Sequence, residues 1–588
     1  MLTIAGVQRF IAESRSTADL WAGSAIMNRL AMAAARSLSD SGARLVFPSS
    51  VDDADASVPN RIVAMVSPGS GTGLAAMAES AVVSTWRKLV ADAGMGDDPT
   101  PGFPRVHWVV AQPDSDYTQQ WVRAGHALAA VKRAAMFEQL GDDGDGVRVP
   151  RICDLSPGLP ARDTPPPGMQ PAQLAVANWV KRARQVGGET GADVRFPSTR
   201  GIASAPERQA LIGLLKEKAE TRGRVRELRA LVQRFDRSKE RIVSGLGSAP
   251  GSAVRDWMDG DPEARWVAEC GATWLDASTW EASRLRDEYP KSEVLTAGEL
   301  ASARDLVRAL RSSVRDDCGV RATRYLALVV QDLDGLSSAL SAGLRDVDDA
   351  EAWHRRFSAE LSALALAHRT ELETPELLAT PVYSGGDDLL FVVPARTALA
   401  AAGAARRRVA ETAWPTSGRA HARPITASTA VVFFHQKERL SGVVQAAQDL
   451  LKMAKAEPKD ALGLSFHWHS SATREVVLPW RLPASAGADV QVTDLLRVLA
   501  EAPGELMSPR LIAEIDRDAA ELDDLRRGDE WLFRAELLRL LGRHVRQDRA
   551  AEAADAVLRL SGVVRDGTNP VPLTDVLKIA HKLGQEVH

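Results

Sequence analysis

The stretch Val382-Tyr383-Ser384-Gly385-Gly386-Asp387-Asp388-Leu389-Leu390-Phe391-Val392-Val393 decides the fold. Two apolar runs of strand character flank a Gly-Gly turn that carries adjacent carboxylates. Glycines supply the positive φ angles that a tight hairpin demands. They also remove side-chain bulk where a phosphate has to approach the backbone. Asp387 and Asp388 stand where hard divalent cations bind, on carboxylate oxygens beside a triphosphate. Alone, such a turn is more often simply solvated.

A second stretch changes the weighting. Upstream, Tyr325-Leu326-Ala327-Leu328-Val329-Val330-Gln331 runs into Asp332-Leu333-Asp334. If this strand pairs with the hairpin, Asp332 faces the turn, and three carboxylates can share two metal ions. That is the layout of a nucleotidyl-transferring palm. Asp334 reads as a helix N-cap.

The order of elements around these stretches predicts an α+β chain. Residues 1–150 alternate strands (Leu2–Ala5, Arg44–Phe47, Arg61–Val66, Val106–Ala111) with helices, as in a ferredoxin-like sheet. Residues 151–319 open on a Gly-, Asp- and Pro-rich boundary and become mainly helical. Within them, residues 207–245 hold eleven Lys or Arg against six acidic residues. This fits either a solvated helix laced with ion pairs or a face that tracks a nucleic-acid backbone. Residues 320–480 read as a second palm carrying the Gly-Gly-Asp-Asp hairpin, extended by a further helix (Leu440–Lys455) and strand (Ala461–Trp468). Residues 481–588 read as a helical bundle. Its segment Trp531–Leu541 carries more apolar surface than one core-facing stripe requires. Truncation after Pro483 is expected to spare the palm.

Composition narrows the function classes. At 588 residues the chain carries a formal charge of only −4, so bulk charge does not announce a nucleic-acid binder. Cys153, Cys270 and Cys318 lie far apart with no Cys-x-x-Cys, so a structural zinc site is not expected. The first residues lack a basic segment followed by a long apolar core, and no apolar run approaches the ~20 residues of a membrane span. A cytoplasmic chain is expected. His467 and His469 alternate on one strand but lack a third ligand and read as ordinary strand residues. Trp21 and Trp480 read as core anchors.

Taken together, these motifs resemble the large polymerase-like subunit of type III CRISPR effector complexes, of the Cmr (III-B) type. The likeness begins with Gly6-Val7-Gln8-Arg9-Phe10-Ile11-Ala12 and Asp19-Leu20-Trp21-Ala22-Gly23-Ser24, which resemble the opening of the family's first palm. It continues through Val46-Phe47-Pro48, Pro59-Asn60-Arg61, Phe196-Pro197-Ser198-Thr199 and Ile202-Ala203. In the second palm it rests on Tyr325–Asp334, His354-Arg355 with Ser358, Tyr383–Asp388, Thr426-Ala427-Ser428 and Ala454-Lys455. Gly-Gly-Asp-Asp occurs only in the second palm, so the first is expected to be a non-catalytic partner. Many members place an HD nuclease ahead of the first palm. This chain contains no His-Asp dipeptide, and metal-dependent DNase activity of that type is not expected.

The resemblance implies a mechanism. Two Mg²⁺ or Mn²⁺ ions would be held by Asp332, Asp387 and Asp388, and ATP would be joined into cyclic oligoadenylate when target RNA is bound. Ser384, Gly385 and Gly386 would line the nucleotide. Lys455 is the candidate contact for the triphosphate, or else a C-terminal lysine that complements its helix dipole. Implied partners are guide RNA, target RNA, a small helical subunit and the subunit that binds the repeat handle. Two other readings remain: an architectural subunit with an inactive palm, and a stand-alone nucleotide cyclase.

Overall fold

The computed structural model describes residues 1–588 except 53–56, 99, 101, 115, 135–150, 168, 187–193, 238, 241–259, 290–291, 293–294, 416–423, 457, 469–472, 483–489, 502–507, 545–549, 562–563, 566–568, 571–572 and 588. His469 lies outside the described residues.

The first palm runs β1 (Leu2–Ala5), α1 (Val7–Ala12), α2 (Thr17–Asp40), β2 (Arg44–Phe47), β3 (Arg61–Met65), α3 (Gly71–Asp92), β4 (Arg105–Trp108) and α4 (Tyr117–Arg133). Its sheet has the order β2-β3-β1-β4, with every pair antiparallel. That order is the split βαβ of a ferredoxin-like fold. Ser16 caps α2 in a reciprocal box with Asp19, so the helix starts where the sequence signature places it.

The helical insert comprises α5 (Val176–Val186), α6 (Thr199–Ala203), α7 (Ala205–Glu217), α8 (Ala219–Val232), α9 (Pro262–Glu269), α10 (Ala282–Glu288) and α11 (Ala297–Cys318). The arginines of α8 have partners inside this domain. Arg222, Arg226 and Arg229 all turn toward the buried Glu263, and Arg222 also pairs with Asp261 at 2.7 Å. Of the two readings of the basic stretch, ion pairing accounts for these three side chains.

The second palm runs β5 (Tyr325–Asp334), α12 (Leu336–Asp346), α13 (Ala350–Leu372), β6 (Thr380–Gly385), β7 (Asp388–Pro394), α14 (Ala398–Glu411), β8 (Thr426–His435), α15 (Leu440–Ala454), β9 (Ala461–Phe466) and β10 (Arg474–Pro479). The six strands lie in the order β10-β9-β8-β5-β7-β6. Only β8 and β9 are parallel, as the α15 crossover between them requires. Four adjacent strands, β8-β5-β7-β6, repeat the topology of the first palm. Strand β10 goes beyond the single added strand expected. Its first residues, Arg474 and Glu475, are charged and lie at the sheet edge, which breaks the apolar signal.

Strand β5 is buried on both faces, which explains its unbroken apolar run. Tyr325, Ala327 and Val329 face one core, while Leu326, Leu328 and Val330 face another. The second core is shared with the first palm. It contains Leu2, Ile4 and Leu20 as well as Val443, Ala447 and Leu450 of α15. It also takes in Cys153, Leu174 and Trp179, so packing crosses the boundary expected at residue 150. Two further contacts join the palms: Tyr117 meets His354 Nδ1 at 2.9 Å, and Phe47 packs with Trp353 and Phe357.

The first core continues from the β-sheet into the C-terminal helices α16 (Val492–Glu501), α17 (Pro509–Arg517), α18 (Ala519–Gly528), α19 (Glu530–His544), α20 (Ala550–Ser561) and α21 (Leu573–Glu586). Phe433, Phe466 and Leu478 of the sheet lie in one cluster with Leu496, Leu511 and Leu577. These helices pack on β9 and β10 at one face of the palm sheet, and this shared core speaks against the expectation that the palm survives truncation after Pro483. On α19, Phe533, Leu537, Leu540 and Leu541 are buried, while Trp531, Leu532 and Leu538 remain exposed.

Candidate active site between the two palms

The hairpin forms where the glycines predict it. Gly385 pairs with Asp388, leaving Gly386 and Asp387 as the two-residue loop. Gly386 takes φ +64°, a conformation costly for other L-residues. A side chain on Gly385 would run into the hydroxyl of Ser57 from the first palm. The glycine thus allows the palms to touch at the turn.

Asp332 and Asp388 are Cα partners across β5 and β7, and the Leu333 N–H donates to the Asp387 carbonyl at 3.1 Å. The strand period then fixes direction. Asp332 shares a face with Leu328 and Val330, and Asp388 shares the same face with Leu390 and Val392. That face looks toward the first palm. Gln8 of α1 reaches it and donates to Asp388 Oδ2 at 3.4 Å.

Helix α15 packs on the same face and ends beside the carboxylates. Its C-cap residue, Lys455, places its ammonium on Asp332 Oδ1. Burial pushes the Asp332 carboxyl above its ordinary value, and Asp387 and Asp334 add to this, against the opposing pull of Lys455. Asp388 is pushed up to about 7, by burial first and then by Asp387 and Asp332. Tyr383, on strand β6 of the hairpin, is raised by burial first and then by Asp388 and Asp387. Three carboxylates crowd this end of the sheet, and Lys455 pairs with one of them.

Three crowded carboxylates are a hard-oxygen donor set and suit Mg²⁺ or Mn²⁺ in chemistry. Among the described residues, however, no three His, Cys, Asp or Glu side chains converge on one cation position. Lys455 supplies a physical reason, since one of the carboxylates already carries a cation of the chain's own. Asp332, Asp387 and Asp388 are brought together at one end of the sheet, as a group rather than a closed cage.

Two sequence expectations change here. Ser384 is buried and its hydroxyl donates to the Ala365 carbonyl at 2.9 Å, so it turns away from any nucleotide. Asp334 caps no helix, because Gly335 holds the N-cap position of α12 without a side-chain bond. Its buried Oδ2 instead accepts from Ser428 Oγ (2.8 Å), Thr426 Oγ1 (3.3 Å) and the Asp460 N–H (3.1 Å). Trp480 is buried and donates to the Ala427 carbonyl at 3.2 Å. Trp21 is half-buried and stacks on Phe196. His467 Nδ1 lies 2.6 Å from Glu438.

Sequence reasoning did not find the space beside the turn. A cavity of about 360 Å³ opens between the palms, reaching Gly386 and Asp387. Ser57, Arg61 and Lys132 line it from the first palm, and Ser337 and Ser358 from the second. Arg61 lies over the Trp121 ring, 5.5 Å from its centroid. These residues come from five separated segments, so no local motif announces them. Pro59-Asn60-Arg61 and Ser358 carry the family resemblance, but nothing in the sequence brings them together.

A model of the Cas10/Cmr2 second palm domain matches residues 325–463, and one of the N-terminal part of CRISPR-associated protein Cmr2 matches residues 1–91. Both palms therefore match domains of the Cas10/Cmr2 family. Among solved structures it is similar to the Type III-B Cmr-beta cryo-EM structure of the apo state, with a TM-score of 0.63 and 14% identity, covering 100% of this chain and 81% of that one. It is also similar to Type III-B Cmr-beta bound to cognate target RNA, with a TM-score of 0.62 and 14% identity, covering 100% of this chain and 82% of that one. At this identity the likeness shows the fold alone. No curated protein matches the sequence. No helix among the described residues is long and apolar enough to cross a membrane.

Proposed function

We propose that this chain is the large subunit of a type III RNA-guided complex and that its second palm joins ATP molecules through 3′–5′ bonds into cyclic oligoadenylate. The observation that carries the reading is the cross-strand pair Asp332–Asp388 with Asp387 at the turn, on the sheet face that meets the first palm. The family's two palms account for the architecture around it, and the inter-palm cavity offers room for a nucleotide at Asp387.

Asp332, Asp387 and Asp388 would hold two Mg²⁺ or Mn²⁺ ions, which, when bound, activate a ribose hydroxyl and neutralise the leaving pyrophosphate. The chain's own residues position the reactants. Gly386 lets a phosphate approach the backbone without a side chain in the way. Arg61 and Lys132 bring positive charge to the cavity, and Ser57, Ser337 and Ser358 offer hydroxyls to a ribose or base. Lys455 supplies a mobile point charge for the triphosphate. Positioning and charge neutralisation then carry the rate. The first palm contributes Gln8 and one cavity wall and no carboxylate motif of its own. Target RNA, guide RNA and the complex's other subunits are the proposed partners, as target RNA is for the similar Cmr-beta assembly.

The test is incubation of labelled ATP and Mn²⁺ with the chain, alone and assembled with guide and target RNA. Oligoadenylate that forms with target RNA and disappears in Asp387→Ala/Asp388→Ala is expected. Undiminished product from the double variant overturns the assignment of the site. Product made equally well by the isolated chain would favour a stand-alone cyclase.

A further inference from the structure

Lys455 stands at the end of a helix whose position is over-determined. Leu450 and Ala454 are buried against the sheet, and the Ser428 hydroxyl meets the Ala454 carbonyl at 3.3 Å. The turn that follows is pinned at Asp460, whose N–H binds Asp334 and whose carboxylate takes Arg406 in two bonds of 2.9 and 2.6 Å. Lys459 and Asp460 hold φ of +66° and +48°, unusual for residues with side chains. The backbone at Lys455 is therefore held in place, while the ammonium rides on a flexible stem that is one-third exposed.

The ammonium pairs with Asp332, one of the three carboxylates to which the proposed function assigns the divalent cations. A compact ammonium and a divalent cation on the same carboxylate repel each other. A triphosphate offers the ammonium another anionic partner. We propose that Lys455 is a tethered competitor of the divalent cation at Asp332: it excludes free cation from the nucleotide-free site and is drawn away by the triphosphate. Cation and nucleotide then load interdependently. This inference rests on the reading of Asp332 as a cation ligand and adds a regulatory contact to it.

The consequence is a pair of effects with opposite signs. Removing the ammonium strengthens binding of free cation and weakens binding of nucleotide. A lysine that merely stabilised the palm would weaken both when removed. Coupling of this kind typically amounts to about 5–150-fold in affinity.

Free Mn²⁺ binding to the full chain is measured by electron paramagnetic resonance, without nucleotide, for wild type, Lys455→Met and Lys455→Arg. Lys455→Met should bind Mn²⁺ at least about 5-fold tighter than wild type, with Lys455→Arg staying near wild type. Lys452→Met, which removes an exposed lysine paired with Asp449, should change nothing and so excludes a diffuse charge effect. In calorimetry with a non-hydrolysable ATP analogue and Mn²⁺, Lys455→Met should bind more weakly. Circular dichroism and thermal melting check each variant's fold, and a misfolded Met variant leaves Lys455→Gln to carry the same comparison.

Unchanged or weaker Mn²⁺ binding in the folded neutral variants overturns the competition. Asp332→Asn separates that failure from failure of the underlying reading. Mn²⁺ binding that depends on Asp332 but not on Lys455 sinks only the inference. Mn²⁺ binding indifferent to Asp332 removes the cation site and the inference with it.

Discussion

Asp334 binds the backbone N–H of Asp460 at 3.1 Å across 126 residues of sequence. The same oxygen accepts from Ser428 and Thr426, so a single buried carboxylate ties β5, β8 and the turn after α15 together. Asp334→Ala strands those donors and should destabilise the palm by about 1–3 kcal/mol, read as a lower urea midpoint. An unchanged midpoint would show that these bonds contribute nothing net.

The hairpin carboxylates should leave a signature in pH. Asp388 titrates near 7 in the folded chain, above its ordinary value of 3.8. Folding then favours the protonated form, so stability falls as pH rises from the ordinary carboxylate range through about 7. Asp388→Asn should flatten that fall and unfold at a higher temperature than wild type at pH 8. Mn²⁺ should stabilise wild type more at pH 8 than at pH 5, because the cation needs the ionised carboxylate. A variant that melts lower than wild type at pH 8 would contradict the crowding.

Much of this site was legible in the sequence because it sits on regular structure. Asp332, Gly386, Asp387 and Asp388 lie on one hairpin and one buried strand, where period and turn chemistry determine direction. Lys455 was legible as a helix end, but its partner was not, because α15 meets Asp332 only through the crossover to β9. Ser384 was misread because proximity to the turn says nothing about face. One residue before Gly385, its side chain points into α13. Asp334 was misread for a related reason: an Asp before a glycine and a helix looks like a cap, and only the sheet brings Ser428 and Asp460 to it. The inter-palm cavity was illegible, since it exists only once the two palms share a core.

The C-terminal helices should prove inseparable from the second palm. A chain ending at residue 482 would uncover the face of β9 and β10 that carries Leu464, Phe466 and Leu478. Exposed apolar surface of that extent drives aggregation. The truncated protein should appear in the insoluble fraction, or as large species that bind a hydrophobic dye in gel filtration. A monodisperse, cooperatively melting product would show that the shared core is dispensable.

Arg61 and Lys132 offer the most direct test of where the nucleotide sits. Both line the cavity from the first palm, across from the hairpin. If the cavity holds the nucleotide, their charges bind substrate and transition state alike, and their loss appears in KM rather than kcat. A charge-assisted contact typically contributes about 1.5–3 kcal/mol, so Arg61→Ala or Lys132→Ala should raise KM for ATP roughly ten-fold or more with kcat little changed. Arg61→Ala also removes the guanidinium from the Trp121 face, so thermal melting must accompany the kinetics. Loss of kcat at constant KM would place these residues at the reacting atoms instead. No change in either constant, in a variant that melts like wild type, would move the nucleotide out of this cavity.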